Sequence, residues 1–147
     1  MYTADVYCGQ EHNLDAIKPQ VKSIVFDATR QYWQRSRMTL GTTPLDCKTM
    51  YKAGGTMMLT LTHTSGRITS HYTDKWGRWI SQTMQSESNQ KIAIVSTYQV
   101  VADVVHPGQI TVAAQQRTWL LQTKDTLHSP RAAFRQDLIK YLWDCKQ

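Results

Sequence analysis

Cysteine, charged residues and long apolar runs are all scarce in this sequence of 147 residues. The three cysteines, Cys8, Cys47 and Cys145, lie far apart and form no C-x-x-C pair. Neither a zinc knuckle nor a disulfide framework is therefore indicated, and a reducing setting is favoured. No apolar run reaches the ~18 residues of a membrane span, and the first residues lack the basic-then-apolar pattern of a signal peptide. We expect an intracellular protein that does not use a membrane.

Several catalytic motifs are missing as well. The histidines form no H-x-x-x-H or H-E-x-x-H pair, which disfavours zinc hydrolase chemistry. No G-x-S-x-G is present, so a serine hydrolase has no support. Gly54 and Gly55 have neither a phosphate-loop lysine nor the G-x-G-x-x-G pattern, and we predict a hairpin turn there. The histidines are His12, His63, His71, His106 and His128.

The sequence has enough apolar residues to fold into a single domain. Apolar residues make up 41% of the chain, five residues are tryptophan, and only 19% are charged. This composition disfavours intrinsic disorder. The net charge of +6 and the pI of about 9.3 favour an anionic partner such as nucleic acid. An ordinary basic protein remains an equal alternative on charge alone.

The spacing of apolar residues predicts five strands. Residues 4–9 indicate a largely buried strand. Residues 56–63 alternate between apolar and threonine positions, which is typical of a half-buried strand. A polar turn joins the last two strands and favours an antiparallel arrangement. The predicted strands cover residues 4–9, 37–42, 56–63, 77–85 and 91–101.

Helices are predicted near the start and at the end of the chain. Pro19 suits the first turn of a helix, and the pattern is helical again from Gln109. Ser129 is a candidate N-cap, followed by Pro130 at the first helical position. The predicted apolar stripe of the first helix is Val21, Ile24, Val25, Ala28 and Tyr32. That of the last helix is Phe134, Leu138, Tyr141, Leu142 and Cys145. The element order predicts an α/β (α+β) layered domain with mainly antiparallel strands and flanking helices.

A polar segment after the first predicted strand is the main candidate for a site. If the chain stays extended there, Glu11 and Asn13 share one face, while Gln10 and His12 share the other. A carboxylate beside an amide at a strand end suits a hard metal ion or a phosphate. The alternative is that these polar residues are simply exposed at the surface without a function, and the residue spacing alone favours this alternative.

Aromatic residues supply further candidates. Tyr98 follows an apolar strand, where its phenol could contact a phosphate or could simply cap the core. Trp76 and Trp79 flank Gly77 and Arg78, and tryptophans in this setting either stack on bases or pack inside the protein.

These segments in combination resemble a known superfamily. "ADVYCGQEHNLD", "YKAGGTMMLT", "DKWGRWISQTM" and "KIAIVSTYQVV", followed by "SPRAAFRQDLIKYL", are similar to the endonuclease/exonuclease/phosphatase superfamily, which has the deoxyribonuclease I-like, AP-endonuclease-like fold. The greatest similarity is to the endonuclease domains of non-LTR retrotransposons. The resemblance covers nearly the whole chain and implies a partial four-layer α/β sandwich.

The resemblance also implies roles for individual residues. It makes Glu11 the ligand of a catalytic magnesium ion, with manganese as a substitute, and Gln10 the neighbouring glutamine of the motif. It makes Tyr98 a catalytic residue that contacts the scissile phosphate. Asn13 lies beside the motif and Arg78 lies between the tryptophans. We predict that Gln10, Asn13 and Arg78 bind substrate together with Tyr98, and no family role is carried over to Asn13 or Arg78. The implied activity is magnesium-dependent hydrolysis of DNA phosphodiester bonds, in the nucleus if the host is a eukaryote.

Several family segments have no counterpart in residues 1–147. The resemblance places a first strand with an asparagine before residue 1. It places a Gly-Asp-x-Asn strand, a later aspartate and a terminal Ser-Asp-His beyond residue 147. We therefore expect a single, incomplete domain that is inactive or weakly active by itself. Exposed apolar surface and strand edges predict self-association or pairing with the missing C-terminal half.

Two other functions remain open. The chain could be a non-catalytic nucleic-acid-binding module, whose binding would weaken steeply with salt and need no magnesium. It could also be a phosphodiesterase or phosphatase of the same superfamily that acts on RNA or a phospholipid head group.

Overall fold

Six strands form two antiparallel sheets in the computed structural model, which describes residues 4–44, 52–101, 111–123 and 129–146. The described residues also form four helices, which confirms the predicted mixed α/β class. The chain divides into two compact units, Met1–Tyr98 and Gln99–Gln147. The single domain over residues 1–147 stays a prediction.

Both sheets belong to the first unit, and each has three strands. The first sheet has the order β1-β3-β2 and the second has the order β4-β5-β6. The strands are β1 (Val6–Gln10), β2 (Ser36–Gly41), β3 (Thr56–Leu61), β4 (Ile68–Thr73), β5 (Trp79–Gln85) and β6 (Lys91–Thr97). The helices of this unit are α1 (Pro19–Tyr32) and the single turn α2 (Thr62–Ser65).

The central strand β3 is buried on both faces, so the prediction of a half-buried strand was wrong. One face carries the predicted apolar residues Leu59 and Leu61, while Thr56 and Thr60 on the other face are fully buried. Thr60 Oγ1 donates a hydrogen bond to Gln82 Oε1 of β5. The threonine face is therefore covered by the second sheet. The residues of β3 do alternate as predicted, but the second sheet covers the polar face of the strand. The local sequence does not reveal this second sheet.

A polar network continues this contact between the sheets. Gln82 Nε2 donates to Thr39 Oγ1 of β2 at 3.1 Å, and Thr56 Oγ1 donates to the Gly77 carbonyl oxygen at 3.2 Å. These hydrogen bonds satisfy groups that would be costly to bury unpaired.

Helix α1 covers the other face of the first sheet. Its first residue is Pro19, as predicted, and Val21 is buried. Val25 and Phe26 pack against the apolar cluster of Met38, Leu59 and Leu61. The predicted stripe was wrong at Ile24, Ala28 and Tyr32, which are exposed, because the contact face includes Phe26 instead.

Edge positions explain the other differences in the first unit. Among the described strands, β1 pairs with β3 alone, and it is exposed at Tyr7 and Cys8, so the prediction of a largely buried strand was wrong. Strand β4 was missed because most of its residues are polar and exposed. Strand β6 ends at Thr97, earlier than predicted.

The second unit contains two helices, α3 (Val112–Gln122) and α4 (Pro130–Asp144). Ser129 Oγ accepts a hydrogen bond from the Ala132 amide at 3.3 Å, which confirms the predicted N-cap. Of the predicted α4 stripe, Phe134 is buried, whereas Leu142 and Cys145 are exposed. No helix in the described ranges has both the length and the apolar character needed to cross a membrane.

Candidate functional site

The residues that follow β1 and β6 meet at one end of the first unit. Tyr98, immediately after β6, donates its phenolic hydrogen to Glu11 Oε1 at 2.5 Å, and Glu11 comes immediately after β1. One position earlier on each strand, Gln10 Nε2 donates to the Thr97 carbonyl oxygen at 2.5 Å. Two consecutive contacts thus join the ends of two strands that belong to different sheets.

The backbone after β1 turns into the left-handed region, which aims the side chains of the polar segment. Glu11 has φ 54° and Asn13 has φ 58°, values that are uncommon for residues other than glycine. The expectation that Glu11 and Asn13 share the face of an extended strand was therefore wrong. Unusual backbone conformations of this kind cluster at functional sites.

A facing segment with two glycines holds this backbone in place. The Glu11 amide donates to the Gly55 carbonyl oxygen at 2.8 Å, and the Asn13 amide donates to that of Gly54 at 2.9 Å. In return, the Gly54 amide donates to Asn13 Oδ1 at 3.0 Å. The side chain of Asn13 thus stabilises the loop around Glu11, and its predicted contact with substrate stays a prediction.

The glycines do not form the predicted hairpin turn. Residues 42–55 join β2 to β3, and Gly54 and Gly55 line up against Glu11 and Asn13 instead of closing a tight turn. Gly55 has φ +94°, and a Cβ atom there would lie 2.4 Å from the ring of His12. Both the backbone conformation and the space therefore require glycine at position 55.

His12 packs inside the loop as a neutral imidazole. Its Nδ1 accepts a hydrogen bond from the Leu14 amide at 3.1 Å, so the proton belongs on Nε2, which lies 3.0 Å from the Gly41 carbonyl oxygen. Burial lowers the pKa of His12 from its usual value, although the hydrogen bond to Gly41 opposes this. These contacts make His12 a residue that shapes the loop. The sequence did not predict this role, because His12 is a single histidine among polar residues.

A buried ion pair anchors the same loop and was also missed. Lys52 Nζ lies 2.8 Å from Asp15 Oδ1 and donates to the Thr43 carbonyl oxygen at 2.8 Å. Asp15 and Lys52 are each 1% exposed. Lys52 precedes the glycines and Asp15 follows the polar segment, so the pair ties both sides of the loop together. Asp15 and Lys52 are far apart in the sequence, so no local sequence pattern predicted this ion pair.

Arg78 supports Tyr98 through its backbone. The Tyr98 amide donates to the Arg78 carbonyl oxygen at 2.7 Å, which extends the pairing of β5 and β6. The Arg78 guanidinium is buried, binds Asp74 through two nitrogens at 2.8 and 3.0 Å, and lies over the rings of Trp76 and Trp79. The two tryptophans are packing residues at 6% and 2% exposure. A contact between Arg78 and a substrate stays a prediction.

The phenol of Tyr98 is held in its neutral form. Burial, followed by the hydrogen bond to Glu11 and the nearby carboxylate charge, raises the pKa of Tyr98 to about 12. The phenol therefore keeps its proton at neutral pH and can donate a hydrogen bond to an anionic oxygen. Glu11 itself is exposed, and of its two carboxylate oxygens only Oε1 has a hydrogen-bond partner within the described residues.

The residues at this site fit the implied magnesium ion in part. Magnesium is often held by one or two carboxylates together with water and substrate phosphates, and Glu11 supplies one exposed carboxylate. Among the described residues no three histidine, cysteine, aspartate or glutamate side chains come together. One carboxylate and the adjacent Gln10 amide are therefore what this part of the chain offers a metal ion.

Comparison with protein-family models, with curated proteins and with solved structures found no match. The structure brings four predicted site residues together, namely Gln10, Glu11, Asn13 and Tyr98, while the side chain of Arg78 is buried against Asp74.

Proposed function

We propose that this chain carries part of the active site of a magnesium-dependent endonuclease that hydrolyses DNA phosphodiester bonds. The observation that carries the proposal is the hydrogen bond from Tyr98 to Glu11. An exposed carboxylate that can bind a metal ion thus lies beside a neutral phenol that can donate to a phosphate oxygen. The similarity of the surrounding segments to deoxyribonuclease I-like endonucleases supports the same assignment, as does the net charge of +6.

Glu11 would hold the metal ion, with the Gln10 amide beside it. A bound magnesium ion would supply charge stabilisation at a phosphoryl oxygen. When Glu11 holds the metal ion, the neutral phenol of Tyr98 would release its hydrogen bond to Glu11. It would donate that single hydrogen to a non-bridging oxygen of the same phosphate, where negative charge increases during the reaction. The left-handed loop, fixed by Gly55 and the Asp15–Lys52 pair, would keep the Glu11 carboxylate in position without a large change on binding.

A base that activates water is also required for hydrolysis. In this proposal that group and the further metal ligands are additional to the Glu11–Tyr98 pair, which supplies one carboxylate and one phenol. The proposed domain is accordingly a deoxyribonuclease I-like sandwich, of which the two sheets of the first unit would be part. The chain by itself is expected to cleave DNA weakly or not at all.

Metal binding tests the proposal directly. Manganese, added in place of magnesium, should broaden the NMR signals of backbone amides close to Glu11 and Tyr98. The Glu11→Gln variant should lose this effect. The sequence has a single other glutamate, Glu87, which pairs with Arg67 on the surface, so Glu87→Gln is a matched control that should retain it. Broadening that persists in Glu11→Gln would contradict the metal assignment.

Supercoiled-plasmid nicking tests the chemistry. Any nicking by the chain should require magnesium and should be lost in Glu11→Gln and on chelation, while Tyr98→Phe should lower the rate about 100- to 1000-fold. Nicking that is unchanged in Glu11→Gln would overturn the proposal. DNA binding that is independent of magnesium, together with no metal binding at Glu11, would favour the non-catalytic binding module.

A further inference from the structure

A basic groove lies between α1 and the edge strands β2 and β4, within the first unit. It has a volume of about 340 Å³ and is lined by Lys22 and Arg30 from α1, Arg37 from β2 and His71 from β4. Within the described part of the chain, no acidic residue lines it. The groove is therefore a concave surface of one charge sign, which concentrates anions.

The basic side chains of the groove have no acidic partners among the described residues. Lys22, Arg30 and Arg37 are all exposed, and none of the described aspartates or glutamates forms an ion pair with them. By contrast, Arg67 and Arg78 are each bound to a carboxylate. The positive charge of the groove is thus not neutralised by this part of the protein.

Contacts within the protein hold two of these basic side chains at the groove wall. Arg37 Nη1 donates to the Ile68 carbonyl oxygen at 3.4 Å and so reaches from β2 towards β4. Lys22 Nζ lies 5.8 Å from the centroid of the Phe26 ring, which also lines the groove. Such contacts reduce the conformational entropy that the side chains lose when they bind an anion.

The spacing of the cations along α1 matches a chain of phosphates. Lys22 and Arg30 are eight residues apart and share a helix face, so they are separated by about 12 Å along the axis. Phosphates of one DNA strand advance by about 3.4 Å per nucleotide along the duplex. Both side chains are long and flexible, so the two can contact different phosphates of the same strand.

We propose that this groove binds the phosphodiester backbone of DNA, independently of metal. The anion-binding property rests on the charge and shape of the groove, whereas DNA as the ligand rests on the proposed function. None of the groove residues belongs to the Glu11–Tyr98 site. The groove is therefore a second, non-catalytic contact that holds the substrate.

Fluorescence anisotropy with a short labelled DNA duplex in EDTA tests the groove without cleavage. The double variant Lys22→Gln, Arg30→Gln should bind about 2- to 25-fold more weakly, because each exposed cation contributes about 1.4- to 5-fold. The slope of log affinity against log salt should fall by about 2. The charge-matched double variant Arg67→Gln, Lys91→Gln, on exposed residues outside the groove, should change the affinity less than about 2-fold.

An equal loss in the two double variants would overturn the proposal, because it would show a general effect of net charge. Inorganic tripolyphosphate provides a second arm. If it shifts the NMR signals of Lys22, Phe26 and Arg30 while DNA leaves them unchanged, the ligand is a free phosphate compound and the DNA assignment is overturned. Circular dichroism confirms that each variant is folded.

Failure of this proposal is distinguishable from failure of the proposed function. The Glu11→Gln variant should retain DNA affinity in EDTA, since the groove and not Glu11 provides the contact. Loss of binding in that variant would contradict the groove proposal, whereas its nicking and manganese results bear only on the metal site.

Discussion

Lys52 and Asp15 form an ion pair of 2.8 Å in which each residue is 1% exposed, and they connect the glycine segment to the loop that carries Glu11. Removing one partner of such a pair leaves the other charged and buried. We expect Lys52→Met to lower the free energy of unfolding by about 3–5 kcal/mol, as measured by urea denaturation.

Lys18 provides a matched control for this effect. It lies 3.5 Å from the other carboxylate oxygen of Asp15, but its side chain is 30% exposed. Lys18→Met should cost less than about 1 kcal/mol, because the pair is long, its lysine is partly hydrated, and Lys52 still neutralises Asp15 in this variant. Equal costs for the two variants would show that the buried pair does not anchor the loop.

Gly55 faces the ring of His12 with φ +94°. Gly55→Ala should lower stability by about 2 kcal/mol or more, since alanine is strained in the left-handed region and its Cβ would clash with His12. Gly66→Ala is the control, because Gly66 has φ −70° and an added Cβ would come no closer than 3.5 Å to the His63 carbonyl oxygen. Its effect should stay within about 0.5 kcal/mol. If the two variants have the same melting temperature, the packing of His12 against Gly55 would be contradicted.

Because of His12, we expect the protein to lose stability in mild acid. Its pKa is lowered in the folded protein, so below about 6.5 the unfolded chain binds a proton more readily than the native one. Protonation would also remove the Nδ1 acceptor of the Leu14 amide. Stability should therefore fall from about pH 7.5 to about pH 5.5, and His12→Gln should reduce this difference.

His71 serves as the control in the acid experiment, because it is exposed on β4. His71→Gln should leave the difference in denaturation midpoint between the two pH values unchanged. If the loss of stability between the two pH values is as large in His12→Gln as in the original sequence, a group other than His12 causes the acid sensitivity.

Tyr98 should titrate well above an ordinary tyrosine, at a pKa of about 12. Its raised pKa stabilises the folded protein below about pH 10, and this stabilisation is lost as the pH rises towards 12. Glu11→Gln removes the carboxylate charge and should lower the pKa of Tyr98 towards its usual value, although burial remains. The ring carbon signals of labelled tyrosine report the titration, with Tyr98→Phe to assign the signal. An unchanged pKa in Glu11→Gln would show that burial accounts for the whole shift.

Several elements were predictable because their signals are local. Pro19 begins α1, Ser129 caps α4, and the alternating residues of β3 form a strand. Each depends on the backbone preferences of a few adjacent residues. The position of the candidate site was also indicated, since Glu11 and Tyr98 each follow an apolar strand.

Other features depended on residues far apart in the sequence. The burial of Thr56 and Thr60 follows from the second sheet, and the exposure of Tyr7 follows from the edge position of β1. The Asp15–Lys52 pair and the packing of His12 against Gly55 bring together segments that have no local relation.

The sequence by itself determined the mixed class, most strand and helix positions, and the polar segment of residues 10–13. The tertiary structure decided that Glu11 meets Tyr98, that the Arg78 side chain is buried against Asp74, and that Lys22, Arg30 and Arg37 share a groove. The physical reason is that backbone preferences act over a few neighbouring residues, whereas burial and charge pairing depend on which segments the packed sheets bring together.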